Sequence, residues 1–160
     1  MMPGGDLSTK YPERMLYGIL PEEETAALLA ARGWDATALA VLEKQVKQRF
    51  NVTLSSSTGR VLDAAAALLG VCRERTFDGE PAQVLETTAV PGTATLWDRE
   101  FIQDNERTIL STSALLREAF SRMKYERTAD IAASFQRTLA TGIARSLSWP
   151  QKRKAIRKLP

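Results

Sequence analysis

The sequence predicts a mainly α-helical protein with about seven helices and at most one small β-hairpin. Along most of the chain, apolar residues recur at spacings of three and four, which places them on one side of a helix. Proline, glycine and short polar residues interrupt these stretches at points where helices begin and end. Residues 95–102 and 106–110, on either side of Asp104 and Asn105, are instead predicted to form two short strands.

The first three predicted helices lie between residues 12 and 50. Pro12 suits the first position of a helix, and Pro21 opens a second helix whose three glutamates favour the positive end of the helix dipole. Gly33 ends that helix, and Asp35 can cap the third. The apolar positions predicted to face the core are Met15, Leu16 and Ile19 in the first helix and Leu39, Leu42, Val46 and Phe50 in the third.

Four further helices are predicted. The serines at 55–57 can cap a fourth helix over residues 58–69, which Gly70 ends, and Pro81 opens a short fifth helix. Ser111 or Ser113 can cap the sixth, and Thr128 the seventh, which ends at Trp149 and Pro150. The core-facing positions are Val84 and Leu85 in the fifth helix, Leu115, Leu116, Ala119, Phe120 and Met123 in the sixth, and Ile131, Phe135, Leu139, Ile143 and Leu147 in the seventh.

Composition excludes several classes of site. The 160 residues contain no histidine and one cysteine, so a histidine-paired nucleophile or a histidine- or thiolate-ligated metal cannot form, and we expect no metal in this chain. The lone Cys72 is interpreted as a small buried apolar group. The serines at 55–57 have neither a histidine nor an adjacent lysine to act as a base, and they are interpreted as caps and turn formers.

Charge and hydropathy indicate a soluble, cytoplasmic protein. The net charge is +3, but residues 150–160 form a basic tail, expected to be flexible, and the rest of the chain is slightly acidic. We therefore expect no nucleic-acid partner. The sequence has no apolar run near the roughly 18 residues that cross a bilayer, and its N-terminus shows no signal pattern, so no membrane association is expected either.

The fourth predicted helix carries the best site candidate. Its residues Gly59, Asp63, Ala67 and Gly70 share a face with little side-chain bulk and one carboxylate. A ligand could approach such a face closely, and an ionised Asp can accept hydrogen bonds from two ribose hydroxyls. From spacing alone, tight helix packing is the better interpretation, with Asp63 satisfied by a neighbouring backbone group or an arginine. Arg60 could pair with a phosphate or with Asp63, three positions away, and the internal ion pair is the better interpretation.

Three stretches of the sequence resemble a known family. Residues 51–81, NVTLSSSTGRVLDAAAALLGVCRERTFDGEP, are similar to a "TSSxGRxFDAxAALLG…YEG" pattern. Residues 2–6 with 12–15 are similar to "PGGD…PWRM", and residues 131–140 to "IAAxFHxTLA", with Gln136 in place of the histidine. These patterns, in this order, are those of the HypF carbamoyltransferases of nickel–iron hydrogenase maturation, in a domain like that of the Kae1/TsaD tRNA-modifying enzymes.

The resemblance implies a fold, an activity and a site. Residues 1–149 would be part of a Kae1-like domain of the actin-like ATPase superfamily, namely the helical section between its two lobes. The intact family member uses carbamoyl phosphate and ATP to form carbamoyl-adenylate and carbamoylates the C-terminal cysteine of HypE. Gly59, Asp63 and Gly79 would contact the nucleotide, whereas the second glycine of the related "PGGP" pattern is Glu80 here.

The resemblance also implies that parts of the site are missing. The family's metal-binding histidine motif and its "DGTGYG"-like and "LSGGVFQN"-like stretches are not found in this sequence. We therefore expect the isolated chain to be inactive and assign no catalytic residue to it. The alternative is a non-catalytic helical module that binds a maturation partner or the missing lobes, or self-associates, through an exposed apolar face. Arg73, Glu74 and Arg75 are interpreted as a solvated loop, and Pro3-Gly4-Gly5-Asp6 as a turn.

Overall fold

The computed structural model describes residues 1–105 and 107–148. Within them the protein has a 3₁₀ helix over Pro12–Gly18 and seven α-helices. The α-helices are α1 (Asp6–Lys10), α2 (Glu22–Ala31), α3 (Ala36–Gln48), α4 (Thr58–Leu68), α5 (Glu80–Ala89), α6 (Thr112–Arg122) and α7 (Thr128–Ser148). The strands are β1 (Met2–Pro3), β2 (Val52–Thr53), β3 (Phe101–Asp104) and β4 (Arg107–Leu110). The predicted mainly helical fold is confirmed.

Helix α4 lies at the centre of the packing, as predicted. It contacts the 3₁₀ helix, α5, α6 and α7, and its residues from Asp63 to Leu68 are all buried. Four consecutive alanines in this stretch let the neighbouring helices come close on several sides. The largest fully buried side chains around it are Leu16, Leu85, Leu116, Ile131 and Phe135. A second, smaller cluster of Tyr17, Leu29 and Leu42 joins α2 and α3 to the 3₁₀ helix.

The predicted hairpin is present but shorter than expected. Strands β3 and β4 pair antiparallel, with Phe101 opposite Leu110. The prediction of strand for residues 95–100 is wrong, because this segment runs along α7 and bonds to its side chains. The backbone N–H of Thr95 donates to Ser134 Oγ at 2.9 Å, and that of Trp97 to Thr138 Oγ1 at 3.1 Å.

Three features of the N-terminal part differ from the prediction. Strands β1 and β2 form a second antiparallel pair that local patterns could not reveal, since its partners Met2 and Thr53 are far apart in sequence. The short helix α1 follows a turn at Gly4 and Gly5, as expected for a glycine pair, but was not predicted as a helix. The first predicted helix is a 3₁₀ helix.

Of the four predicted N-caps, only Asp35 is confirmed, and Thr128 is the first residue of α7 rather than the residue that precedes it. Asp35 accepts a hydrogen bond from the Ala38 N–H at 2.9 Å, as predicted for α3. Ser57 and Ser111 occupy the N-cap positions of α4 and α6, but neither side chain makes a capping hydrogen bond. Phe50, predicted to face the core, is 70% exposed, and Leu147 is 77% exposed.

The described helices include none that is long and apolar enough to cross a membrane. The predictions for the basic tail over residues 150–160 and for the end of the last helix at Trp149 and Pro150 concern residues outside those that the structure describes.

Candidate nucleotide-binding site

Two of the three family-like stretches, residues 2–15 and 51–81, contact each other. The N–H of Arg75 donates to the backbone carbonyl of Lys10 at 2.8 Å, which holds the loop after α4 against α1. A cavity of about 520 Å³ lies between them. It is lined by Asp6, Thr9, Lys10, Arg75, Thr76, Phe77 and Asp78. Asp6, from the glycine-pair turn, and Asp78, which precedes Gly79, therefore line the same cavity.

Asp63 is a buried carboxylate with one bonded and one unbonded oxygen. Its side chain is 5% exposed, and its Oδ2 accepts a hydrogen bond from Arg60 Nη1 at 2.6 Å. No residue that the structure describes donates a hydrogen bond to Oδ1, yet this atom is not sealed from solvent. Burial raises the pKa of Asp63, and the nearby charges of Arg60 and Arg75 oppose that rise. The predicted pair between Arg60 and Asp63 is confirmed.

Gly59 lies on the same side of α4, one turn before Asp63, and is exposed. A methyl group added at its Cα would meet only Ser57 Oγ, at 3.5 Å. Close packing therefore explains the buried Ala67 of this face but does not explain Gly59. The face that Gly59 and Asp63 share is open at its N-terminal end and closed further along the helix.

Gly79 is exposed and is the N-cap residue of α5, with φ of 86°. This left-handed conformation favours glycine, so its backbone geometry alone is a reason for a glycine here. Helix α5, which Gly79 caps, packs against α4, and the charge of the adjacent Asp78 is one of the causes that raise the pKa of Asp63. The role of Gly79 and Asp63 in nucleotide binding stays a prediction.

The serines before α4 leave the N-terminus of that helix without a cap. Ser55 Oγ accepts from the Ser57 N–H at 3.2 Å, within the loop itself. The backbone N–H groups of Thr58, Gly59 and Arg60 have no hydrogen-bond partner among the described residues. Such free N–H groups at the positive end of a helix dipole are suited to an anion.

The loop over residues 73–75 is not simply solvated, so that interpretation is wrong for its two arginines. Arg73 Nε donates to Glu13 Oε1 at 2.8 Å, and Arg75 forms an ion pair with Asp78 at 2.9 Å. Cys72 is buried, as predicted, and burial raises the pKa of its thiol.

Glu13 is a buried carboxylate that was not identified from the sequence. Its side chain is 3% exposed and accepts hydrogen bonds from Arg32, Arg73 and Trp34 at 2.8–2.9 Å. A cavity of about 540 Å³ lies beside it. One signal in the sequence was available, because Glu13 stands where the "PWRM" pattern has tryptophan. The carboxylate and its three donors are matched to one another, which indicates a structural role.

The described residues contain no group of three or more histidine, cysteine, aspartate or glutamate side chains placed to hold a metal ion.

Sequence comparisons identify relatives. The profile of the family described as carbamoyltransferase, Kae1-like domain, second subdomain, matches residues 1–159. The chain is 46% identical over 90 residues to the probable carbamoyltransferase HypF of Methanocaldococcus jannaschii, covering 54% of this chain and 12% of that protein. It is 34% identical over 88 residues to carbamoyltransferase HypF2 of Cupriavidus necator, covering 55% of this chain and 11% of that protein.

Structural comparison agrees. The chain is similar to full-length HypF in the phosphate- and nucleotide-bound form, with a TM-score of 0.72 and 26% identity. It is also similar to HypF of T. kodakarensis, with a TM-score of 0.74 and 28% identity. Each match covers 90% of this chain and 20% of the solved chain. The protein thus spans about a fifth of the length of the structures that it matches.

Proposed function

Because the chain belongs to the family described as carbamoyltransferase, Kae1-like domain, second subdomain, we propose that it supplies one wall of a nucleotide-binding site. In this proposal it works within a HypF-type carbamoyltransferase. That enzyme uses carbamoyl phosphate and ATP to make carbamoyl-adenylate and passes the carbamoyl group to the C-terminal cysteine of a HypE-like partner in the cytoplasm. The residues of this chain that bind the nucleotide are Gly59, Asp63 and Gly79.

The observation that carries the proposal is the open face of α4. Asp63 keeps an unbonded oxygen next to an exposed glycine, and packing does not account for that glycine. A ribose could lie against Gly59 and donate a hydroxyl hydrogen bond to Asp63 Oδ1. A hydrogen bond to a charged acceptor contributes about 1.5–3 kcal/mol, enough to select a nucleoside.

The uncapped N-terminus of α4 supports the same reading for the phosphate. Its free N–H groups lie one turn from Asp63, so an adenylate could place its ribose on Asp63 and its phosphate at the helix end. Positioning of the second substrate and neutralisation of phosphate charge are assigned to other parts of the enzyme, because adenylate chemistry needs both.

Calorimetric titration of the chain with adenosine 5′-monophosphate tests the proposal. We expect a dissociation constant on the order of 1 mM, about 4 kcal/mol, because one wall provides only a few of the contacts. Asp63→Asn should weaken binding at least about tenfold, through loss of the charged acceptor. Gly59→Ala should weaken it by a similar factor, because the methyl group would occupy the open face.

Two controls separate the site from general effects. Asp98→Asn makes the same chemical change at an exposed carboxylate before the hairpin and should bind like the wild type. Gly59→Ala should leave the fold intact, because the added methyl group meets only Ser57 Oγ at 3.5 Å, and thermal melts of this variant check that weaker binding does not reflect unfolding. Binding that is indifferent to Asp63→Asn would contradict the proposal.

The non-catalytic module is the second candidate, and exposed apolar side chains favour it. Val41, in the middle of α3, is 53% exposed, and Phe50 and Leu54, which follow α3, are 70% and 79% exposed. Absence of nucleotide binding together with concentration-dependent association in the ultracentrifuge would support this module over the nucleotide site.

A further inference from the structure

Arg60 forms an ion pair with Asp63 within α4. Its Nη1 contacts Asp63 Oδ2 at 2.6 Å, and its side chain is 26% exposed. The two residues are three positions apart on one helix, so the contact requires no distant element to hold it. One carboxylate oxygen is therefore occupied from within the helix, and the other is left unbonded.

The other charges around Asp63 do not replace Arg60. Arg75 lies near Asp63 but is paired with Asp78, and the negative charge of Asp78 opposes ionisation of Asp63. Asp63 also lies near the buried thiol of Cys72, whose second acidic neighbour is Glu80. Among these groups, Arg60 is the one cation that hydrogen-bonds to the carboxylate in the described part of the chain.

We propose that Arg60 is a positioning residue for the nucleoside: it fixes Oδ2 of Asp63 and keeps the carboxylate charged, so that Oδ1 faces the ligand hydroxyl. This inference rests on the proposed nucleotide site and adds a role that the family resemblance did not assign.

A pH dependence follows from the charges. Burial favours the protonated form of Asp63, and Arg60 counteracts it, so loss of Arg60 should move the pKa of Asp63 upwards. A protonated carboxyl is a weaker acceptor for ribose hydroxyls. Nucleotide affinity should then fall at acidic pH, and in a variant without the Arg60 charge the fall should begin at a higher pH.

The experiment measures adenosine 5′-monophosphate binding to the 160-residue chain between about pH 5 and pH 8 by NMR titration, for four proteins. Arg60→Gln should bind about tenfold more weakly than the wild type near pH 7, and its affinity should begin to fall at a higher pH. Arg60→Lys should restore affinity to within about threefold, because the contact is a single hydrogen bond that an ammonium can make.

Arg127→Gln is the matched control. Arg127, the residue before α7, also pairs with an aspartate three positions later in the sequence, Asp130, at 2.7 Å. Its loss should leave nucleotide affinity and the pH profile unchanged, and a change equal to that of Arg60→Gln would contradict a specific role for Arg60.

The outcomes separate this inference from the proposed function. If Asp63→Asn abolishes binding while Arg60→Gln binds with the affinity and pH profile of the wild type, Arg60 is not a positioning residue and the nucleotide site stands. If neither variant changes binding, both proposals fail. Should Arg60→Gln not fold, Arg60→Met decides, since it keeps the aliphatic part of the side chain without the charge: weaker binding supports the inference, and binding with the affinity and pH profile of the wild type overturns it.

Discussion

At the scale of single residues, Asp63 holds a charge in a place that favours the neutral acid. Burial raises its pKa, so ionisation of this side chain at neutral pH works against folding, and Arg60 only partly compensates. In the proposed site the unfavourable ionisation of Asp63 serves nucleotide binding, because a ribose-binding carboxylate must be charged and must keep one oxygen unbonded.

Asp63→Asn should therefore stabilise the protein at neutral pH while it weakens nucleotide binding. We expect the melting temperature to rise by about 2–4 °C, the shift that corresponds to about 1 kcal/mol in a chain of this size. The gain should be complete above the raised pKa of Asp63 in the folded protein, should decline as the pH falls below that pKa, and should vanish below the unfolded-state pKa, where the side chain is protonated in both states. Thermal melts from about pH 3 to pH 8 measure it.

Asp130 provides the contrasting control. Its hydrogen bond from Arg127 lowers its pKa, so Asp130 contributes stability above its unfolded-state pKa and loses it as the pH falls. Asp130→Asn should lower the melting temperature at neutral pH. If the two substitutions shift the melting temperature in the same direction, the account of Asp63 is wrong.

At the scale of elements, Glu13 joins segments that are far apart in sequence. It binds Arg32 and Trp34, which follow α2, and Arg73, which follows α4. Arg32 also donates to the backbone carbonyl of Leu68 at 2.6 Å and so satisfies the C-terminal end of α4. The 3₁₀ helix is thus tied to the ends of two α-helices by one buried carboxylate.

Glu13→Gln should destabilise the protein by about 3 kcal/mol, because two arginines lose the charge that compensates them in a mostly buried network. Urea unfolding measures the effect. Glu23→Gln, at an exposed position in the first turn of α2, is the control and should change stability by less than about 0.5 kcal/mol. A loss from Glu13→Gln as small as that of the control would show that the network contributes no net stability.

Helices were predictable from sequence where a local pattern determines them. The predicted range 58–69 differs from α4 by one residue, because its alanine-rich run and Gly70 are local signals. The β1–β2 pair and the contact of residues 95–97 with α7 depend on partners distant in sequence, which a local pattern does not contain.

The site, like the fold, was only partly predictable from the sequence. The Arg60–Asp63 pair follows from helical spacing and was anticipated. The packing of α5, which Gly79 caps, against α4 depends on how the chain turns after α4, which a local sequence pattern does not contain. Glu13 was missed because its three donors come from two other segments of the chain.

At the scale of the whole molecule, the chain spans about 20% of the HypF structures that it matches, and the proposal gives it one wall of a shared site. The open region at Gly59, the unbonded oxygen of Asp63 and the uncapped end of α4 lie on the same side of the core. The cavity beside Glu13, about 540 Å³ in volume, is a second concave surface built around a satisfied carboxylate. A nucleotide bound at the face of Gly59 and Asp63 would contact different residues from a nucleotide bound in the cavity beside Glu13.

The most direct test of the central claim is to map adenosine 5′-monophosphate binding on the isotope-labelled chain by backbone amide NMR. The account predicts concentration-dependent shifts at Gly59, Arg60, Asp63 and Gly79, with Gly33 beside the Glu13 cavity unaffected. It would be contradicted by shifts confined to the surroundings of Gly33, or by no shift anywhere at about 10 mM ligand, roughly tenfold above the expected dissociation constant.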